Sequence, residues 1–225
     1  DDADLSRNPY LQAPSPLRSI AVEGPTADVF RISPVEPWRE IRTRLRKQGI
    51  VEGIVEGGGR PAGYFTSATG VTIYTGDAWP AEYRGNALIG DVGSNLVHRK
   101  TVESKPDDVA LVARRATPER EFVASKDIWF RPVQFANGPD GNLYILDMYR
   151  EVIEHPDSLP PVIKKHLDLT SGRDKGRLYR VIRADRTAEQ KRDQFNRARP
   201  GDASTAELVA MLAHPNGWHR TTAAR

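Results

Sequence analysis

The chain has 225 residues, of which 38% are hydrophobic, which is enough to bury the core of one large domain or two small ones. Lys and Arg number 33 against 30 Asp and Glu, and this net charge of +3 provides no extended basic tract of the kind that binds nucleic acid. The lack of cysteine excludes disulfides, thiolate metal sites and haem attachment through Cys-x-x-Cys-His, and no run approaches the ~18 apolar residues that span a bilayer.

The first part of the chain predicts short strands followed by a long connection. Apolar and β-branched residues favour strands at 18–22 and 28–33. Residues 34–60 combine prolines with many glycines and show too little periodicity for a helix, so we expect an irregular connection there. The basic cluster within it is typical of a solvated face or linker and comprises Arg39, Arg42, Arg44, Arg46 and Lys47.

From residue 62 onward, strand-like runs recur between turn residues in two successive units. The first unit, 62–125, has such runs at 71–74, 87–90, 96–102, 109–114 and 121–124. The second unit, 127–183, has them at 133–136, 143–147 and 177–182, and the segment GPDGN at 138–142 predicts a hairpin turn. Two similar antiparallel units in succession are typical of β-propeller blades, so the sequence predicts a mainly β fold.

The C-terminal part predicts helices. Residues 188–198 are polar and lack β-branched residues, whereas Ser204 and Glu207 have the spacing of a capping box that opens a helix. The apolar residues behind this cap are Leu208, Val209, Met211 and Leu212. Residues 214–217 end that helix and 218–225 begin another, and we expect this pair to be incompletely packed because its apolar face lacks partner helices. The predicted organisation is a β domain at 1–183, a linker at 184–203 and helices at 204–225.

Three long segments resemble a known family: TGDAWPAEYRGNALIGDVGSNLVHR at 75–99, DIWFRPVQFANGPDGNLYILDMYREVIEHP at 127–156 and LDLTSGRDKGRLYRV at 167–181. They are similar to the closing blades of the PVC-type membrane-bound dehydrogenase and haem-binding proteins. The resemblance implies the last blades of a six-bladed, glucose/sorbosone dehydrogenase-like β-propeller, followed by HEAT-like repeats that begin at residue 204. Together with a start that is neither Met nor a secretory signal, it implies a fragment of a longer protein.

The resemblance also implies candidate binding residues at the mouth of the propeller funnel. Arg131 matches the arginine that sugar dehydrogenases place against pyrroloquinoline quinone, and a guanidinium suits a quinone carboxylate. Alternatively, Arg131 caps the sheet ends by binding backbone carbonyls. Those enzymes have a lysine near the turn that contains Asp91 and Asn95 here, and the two residues could instead bind a cation such as calcium, bind a polar substrate, or satisfy the turn backbone. Arg173 lies in the loop that returns to the final strand of its blade, and the resemblance implies that this loop faces the funnel, which makes Arg173 a further candidate binding residue.

A second constellation follows the strand at 143–147. Asp147, Arg150 and His155 lie within nine residues where a propeller strand meets a loop, and a histidine near carboxylates can act as a general base in alcohol oxidation. Asp147 and His155 are therefore the candidate catalytic residues, and Arg150 is a candidate ligand of the substrate. Arg150 and Glu151 could also simply pair across a blade boundary. No histidine has metal-ligand spacing such as H-E-x-x-H, so no metal site is predicted from spacing.

Three functions remain open at this stage. The resemblance implies oxidation of a sugar or alcohol by a periplasmic or envelope-associated parent protein, with electrons passed to a cytochrome c domain that carries haem c outside this chain. The fragment alone would then be inactive. One alternative is a non-catalytic propeller that binds a polysaccharide or a protein partner. Another is a cation-dependent propeller hydrolase.

Overall fold

A computed structural model describes residues 27–104, 111–187 and 200–225. These residues form mainly antiparallel β-sheet, arranged as two sheets in succession along the chain, with a few short helices. None of the described helices is both long and apolar enough to cross a membrane. The predicted strand at 18–22 and the polar stretch at 188–198 lie outside the described residues.

The first sheet contains five strands: β1 (Ala68–Ile73), β2 (Ala87–Asp91), β3 (Leu96–Ser104), β4 (Leu111–Arg115) and β5 (Val123–Ala124). Its order is β1-β2-β3-β4, and β5 pairs with the start of β3. The tight connection between β2 and β3 sets Asp91 opposite Leu96 in the register. This sheet confirms the antiparallel unit predicted at 62–125.

The second sheet contains β6 (Pro132–Asn137), β7 (Leu143–Asp147) and β8 (Arg177–Val181) in that order. The predicted hairpin turn joins β6 to β7, and Gly141 adopts φ 76 within it, a conformation that favours glycine. The side chain of Asp140 fixes the turn by accepting from the backbone N–H of Asn142 at 3.2 Å. The antiparallel unit predicted at 127–183 is therefore confirmed, with β7 at the predicted bounds.

The two sheets pack closely along β1, β2 and β6. Thr69 Oγ1 donates to the carbonyl of Pro132 at 2.7 Å. A Cβ atom at Gly90 would lie 2.6 Å from that same carbonyl oxygen, so only glycine allows this approach. A shared core of large apolar side chains fills the space between the sheets, formed by residues that include Tyr74, Trp79, Leu88, Val97, Phe130, Phe135, Leu143 and Ile145.

Helix α1 (Pro37–Lys47) contradicts the irregular connection predicted for residues 34–60. Proline at its start and three basic residues in its last turn suit the two ends of a helix. Its Trp38 packs in a second core with Val152, Leu159 and Ile163. Trp38, Ile41 and Leu45 do have helical spacing, but they are the only three large apolar residues of the helix, and the surrounding prolines and glycines favoured an irregular connection.

Two other predictions for this region are wrong. Arg39 and Arg42 of the basic cluster are buried rather than solvated, because they pair with carboxylates. Residues 28–33 form no described strand, and only an isolated bridge joins Asp28 to Tyr64.

Three shorter helices complete the described chain: α2 (Pro161–Lys164), α3 (Thr205–Met211) and α4 (Gly217–Ala223). The predicted capping box is confirmed, since Ser204 and Glu207 each bond the backbone N–H of the other. Val209 and Leu212 remain 62% and 49% exposed, as expected for a helix pair that is incompletely packed.

Candidate functional site

Four of the predicted site residues lie together at one end of the two sheets, called the charged end below. Asp91 ends β2, Asn95 precedes β3, Arg131 precedes β6 and Asp147 ends β7. All four are fully buried. The structure therefore brings these four residues together, although burial makes none of them a surface contact in this state. That they face the funnel of a propeller stays a prediction.

Arg131 has the contacts of a backbone-capping arginine. Its Nη1 donates to the carbonyl of Val92 at 2.8 Å, its Nε to that of Arg150 at 2.9 Å and its Nη2 to that of Glu151 at 2.6 Å. Nη2 also lies 3.3 Å from Glu36 Oε1. Since these acceptors occupy most of its five donors, Arg131 as it stands does not fit the role of ligand to a quinone carboxylate.

Asp91 and Asn95 satisfy backbone groups of the loops around them. Asp91 accepts from the backbone N–H of Thr66, Ser67 and Gly93 at 3.1–3.2 Å. Asn95, in the left-handed region at φ 59, donates to the carbonyls of residues 128 and 130. The turn-satisfying alternative accounts for both side chains.

The two carboxylate oxygens of Asp147 differ: one is fully hydrogen-bonded and the other has no hydrogen-bond donor within the part of the chain that the structure describes. Its Oδ1 accepts from the backbone N–H of Arg131 at 2.7 Å and of Tyr149 at 2.8 Å. Its Oδ2 is buried without a hydrogen-bond partner among the described residues, and Arg177 Nε lies 3.7 Å away. A buried carboxylate oxygen that lacks a donor is unusual in a folded protein and marks this atom for attention.

The charged end also contains an ion network that the sequence analysis missed. Glu36 lies within 3.5 Å of the guanidinium groups of Arg31, Arg39 and Arg131. Burial alone would raise the pKa of Glu36, but the three arginines together hold it below its ordinary value. Glu154 extends the network by pairing with Arg39 and Arg42. The i, i+3 spacing of Glu36 and Arg39 was a usable signal, but only once α1 is recognised as a helix.

His155 makes no described contact with the four buried residues of the charged end, and its catalytic role stays a prediction. Its side chain is 76% exposed, and its Nδ1 accepts from the backbone N–H of Asp157 as the cap of the turn Pro156–Ser158. Strand β7 ends at Asp147, and the chain that follows carries His155 to the surface. Arg173 is likewise exposed, in the loop before β8. Arg150 is half-buried and donates to the carbonyls of residues 148 and 149 rather than to Glu151.

A half-buried aromatic pair flanks the charged end. The rings of Trp129 and Tyr149 lie 5.3 Å apart, and the guanidinium of Arg177 lies over the Tyr149 ring at 3.5 Å. Asp127 fixes this arrangement, since Oδ1 accepts from the backbone N–H of Trp129 and Oδ2 pairs with Arg177. We call these residues, Asp127, Trp129, Tyr149 and Arg177, the aromatic–arginine surface. No local pattern in the sequence predicts this surface, because its four residues come from separate segments of the chain.

Tyr149 is the strained residue of this surface. Its φ of 52 lies in the left-handed region, which costs a residue with a bulky side chain roughly 1–3 kcal/mol. The bond from its N–H to Asp147 holds it there, and the 168–176 loop packs so closely that a Cβ at Gly172 would lie 2.3 Å from the Tyr149 carbonyl oxygen. The surrounding structure thus holds the backbone of Tyr149 in an unfavourable conformation, and this conformation places the Tyr149 ring beside Trp129.

Within the described residues, no group of three or more His, Asp or Glu side chains is arranged to hold a metal ion. A family model described as Domain of unknown function (DUF7133) matches residues 1–185. No curated protein matches the chain. No solved structure matches it either.

Proposed function

The chain belongs to the DUF7133 family, and we propose that it forms closing blades of a β-propeller whose aromatic–arginine surface binds a carbohydrate. The two successive antiparallel sheets support this arrangement, as does the close packing of Gly90 of β2 against β6. In this proposal α3 and α4 begin HEAT-like repeats, and the parent protein is periplasmic or associated with the cell envelope.

The observation that carries the proposal is the strained conformation of Tyr149. Strained backbone persists only where the rest of the structure over-determines it, and it occurs preferentially at binding sites. Here the strain places an aromatic ring beside Trp129 at the end of a sheet, where loops of a propeller bind ligands. Glycine at this position would avoid the strain but would supply no ring.

The chemistry of the surface suits a sugar. The apolar C–H face of a pyranose stacks on aromatic rings, and its hydroxyl groups need both donors and acceptors around that face. Arg177 supplies donors and Asp127 supplies acceptors, and both are partly exposed, at 38% and 41% of their side chains. Arg173 in the adjoining loop is an additional exposed donor.

The test is a comparison of two substitutions that relieve the same kind of strain. Tyr149→Gly removes the ring, so we expect binding of oligosaccharides to fall by roughly 10–100-fold, the contribution of one buried aromatic side chain. Binding is measured by calorimetry against oligosaccharides of glucose, mannose, galactose and galacturonate. The matched control is Glu119→Gly, because Glu119 has φ 56 but is exposed elsewhere in the chain.

The control should retain the affinity of the unmodified chain. Equal affinity in Tyr149→Gly would contradict the assignment of the surface, and a lack of binding to every sugar tested would contradict the proposed function itself.

Oxidation of a sugar or alcohol by the parent protein is the second candidate function. The observation that favours it is Oδ2 of Asp147, a buried carboxylate oxygen that has no hydrogen-bond partner among the described residues and faces Arg177 at 3.7 Å. In this candidate Arg177 moves aside and Oδ2 accepts a proton from a substrate hydroxyl. His155 is too exposed to serve as a desolvated base, so Asp147 is the stronger of the two predicted catalytic residues. In this candidate, a cytochrome c domain of the parent protein receives the electrons.

The parent protein itself tests this second candidate. Purified intact protein should reduce a dye in the presence of sugar, and Asp147→Asn should reduce kcat by at least about 100-fold while KM stays nearly constant. Full activity in the variant would exclude Asp147 as the base. A quinone-like absorption spectrum would identify the redox group that the resemblance implies.

A further inference from the structure

The C-terminal helices dock on the opposite end of the sheets, called the turn end and formed by residues 74–79 and the 138–142 turn. The backbone N–H of Gly217 donates to the carbonyl of Thr75 at 2.8 Å. Asn216, which is 1% exposed, donates to the carbonyls of Gly138 and Pro139 at 3.0 and 3.1 Å. Among the residues that the structure describes, this contact consists of neutral hydrogen bonds to backbone carbonyls rather than ion pairs.

Two histidines lie within this contact, with their ring centroids 4.2 Å apart. His219 Nε2 lies 2.9 Å from the carbonyl oxygen of Pro139, and since a carbonyl only accepts, Nε2 carries the proton. His214 Nδ1 accepts from the backbone N–H of Asn216 at 3.0 Å, so in the neutral ring its proton is on Nε2. Each histidine therefore has one ring nitrogen that carries no proton in the docked state: Nδ1 of His219 is buried, and Nδ1 of His214 orients the backbone of Asn216, whose side chain makes the contact.

A second proton on either ring disrupts the contact. On His219 it would occupy Nδ1, which is buried without a partner among the described residues. On His214 it would occupy Nδ1 and face the N–H of Asn216, replacing a hydrogen bond with two opposed donors. Two imidazolium rings at this separation would also repel each other.

The charged groups around the pair do not remove this effect. Arg220 on α4 donates to the carbonyl of His214 and adds positive charge. Asp77 favours protonation, but burial and His219 together lower the pKa of His214 below its ordinary value. Asp140 of the facing turn is already paired with Arg180.

We propose that this contact is a pH-sensitive latch: the α3–α4 pair is docked on the turn end when His214 and His219 are neutral and is released when they are protonated. This device is independent of the proposed carbohydrate site, which lies at the other end of the sheets.

The pH range follows from the direction of the shift. His214 has a lower pKa when docked than when released, so docking is fully favoured above the ordinary histidine value of about 6.5 and is lost as the pH falls below it. Between the released and docked pKa values, each pH unit shifts the docking equilibrium against docking by up to about tenfold for this histidine.

The amide proton of Gly217 reports the latch directly because it bonds Thr75 only in the docked state. Hydrogen exchange of residues 214–223 in the whole chain is measured from pH 7.5 to 5.5 and corrected for intrinsic rates. We expect protection at Gly217 to fall by up to about tenfold over this range, with the decrease confined to pH values below about 6.5. Unchanged protection would overturn the proposal.

The matched variant is His214→Asn with His219→Gln, in which the side-chain amides reproduce the Nδ1 acceptor and the Nε2 donor but do not titrate. Protection in this variant should be independent of pH, whereas the control His155→Asn, at an exposed histidine, should behave as the unmodified chain does. If the double variant fails to dock, the ring resonances of the unmodified chain decide the question. A pKa of His214 at or above the ordinary histidine value of about 6.5 would overturn the proposal.

Discussion

The two ends of the sheets bury polar groups in different ways. At the charged end, Glu36 and three arginines join α1 to the ends of both sheets through ion pairs. At the turn end, Asn216 and His219 bond backbone carbonyls of the 138–142 turn. Removing one partner of a buried ion pair is costly because it leaves the other charge buried and unpaired. Neutral hydrogen bonds are individually weaker, so a contact built from them is easier to open and close again. The comparison fits the two proposals, in which the ion-paired end supports a binding surface and the neutral end opens.

The largest loss of stability should come from removing the carboxylate of Glu36, which three arginines share at the charged end. Glu36→Gln leaves Arg31, Arg39 and Arg131 without their common anion, so we expect the free energy of unfolding in urea to fall by about 3–5 kcal/mol. Glu40→Gln, at an exposed position of the same helix, should change it by less than about 0.5 kcal/mol. Similar losses in both variants would show that the network is not a rigid unit.

Arg131→Lys should cost about 2–4 kcal/mol, because an ammonium group cannot bond the carbonyls of Val92, Arg150 and Glu151 together. Its affinity for oligosaccharides, measured by calorimetry on folded protein, should stay within about threefold of the original. The reverse result, a stable protein with weakened binding, would restore Arg131 as a ligand-binding residue.

Each end also contains a glycine that packs closely against a backbone carbonyl oxygen. We therefore expect a substitution of either glycine to reduce the stability of the chain to a similar extent. A Cβ atom would lie 2.6 Å from the Pro132 oxygen at Gly90 and 2.1 Å from the Gly141 oxygen at Gly76. Alanine at either position should therefore lower the melting temperature, at a cost of about 1–3 kcal/mol. Gly201→Ala is the control, since its Cβ would meet no atom within 4 Å.

The smallest expected effect is the loss, at acid pH, of the stability that Glu36 contributes at the charged end. Because Glu36 has a lowered pKa in the folded state, its contribution is present above the unfolded value of about 4.3 and is lost as the pH falls through the folded value. The difference in unfolding free energy between the unmodified chain and Glu36→Gln should therefore shrink below about pH 4.3. A constant difference down to pH 2.5 would contradict the assigned shift.

Local patterns predicted the fold well where neighbouring residues decide the structure. The apolar run of β7 and the Asp140–Asn142 turn before it require only nearby residues, as does the capping box of Ser204 and Glu207. Helix α1 was not predicted because prolines and glycines surround its three helically spaced apolar residues and because two of its three buried residues are arginines. Arginine is ordinarily exposed unless it is paired, and its partner Glu154 is distant in sequence.

By itself, the sequence determined two successive antiparallel units, the turn between β6 and β7, and the start of α3, since each follows from spacing along a short segment. Only the tertiary structure decided what Arg131 binds, because its acceptors come from two loops that are 39 and about 20 residues away along the chain. It also decided that Trp129 and Tyr149 form one surface and that His214 and His219 share one contact. The physical reason is that composition does not reveal which backbone groups need partners until the sheets and helices are packed together.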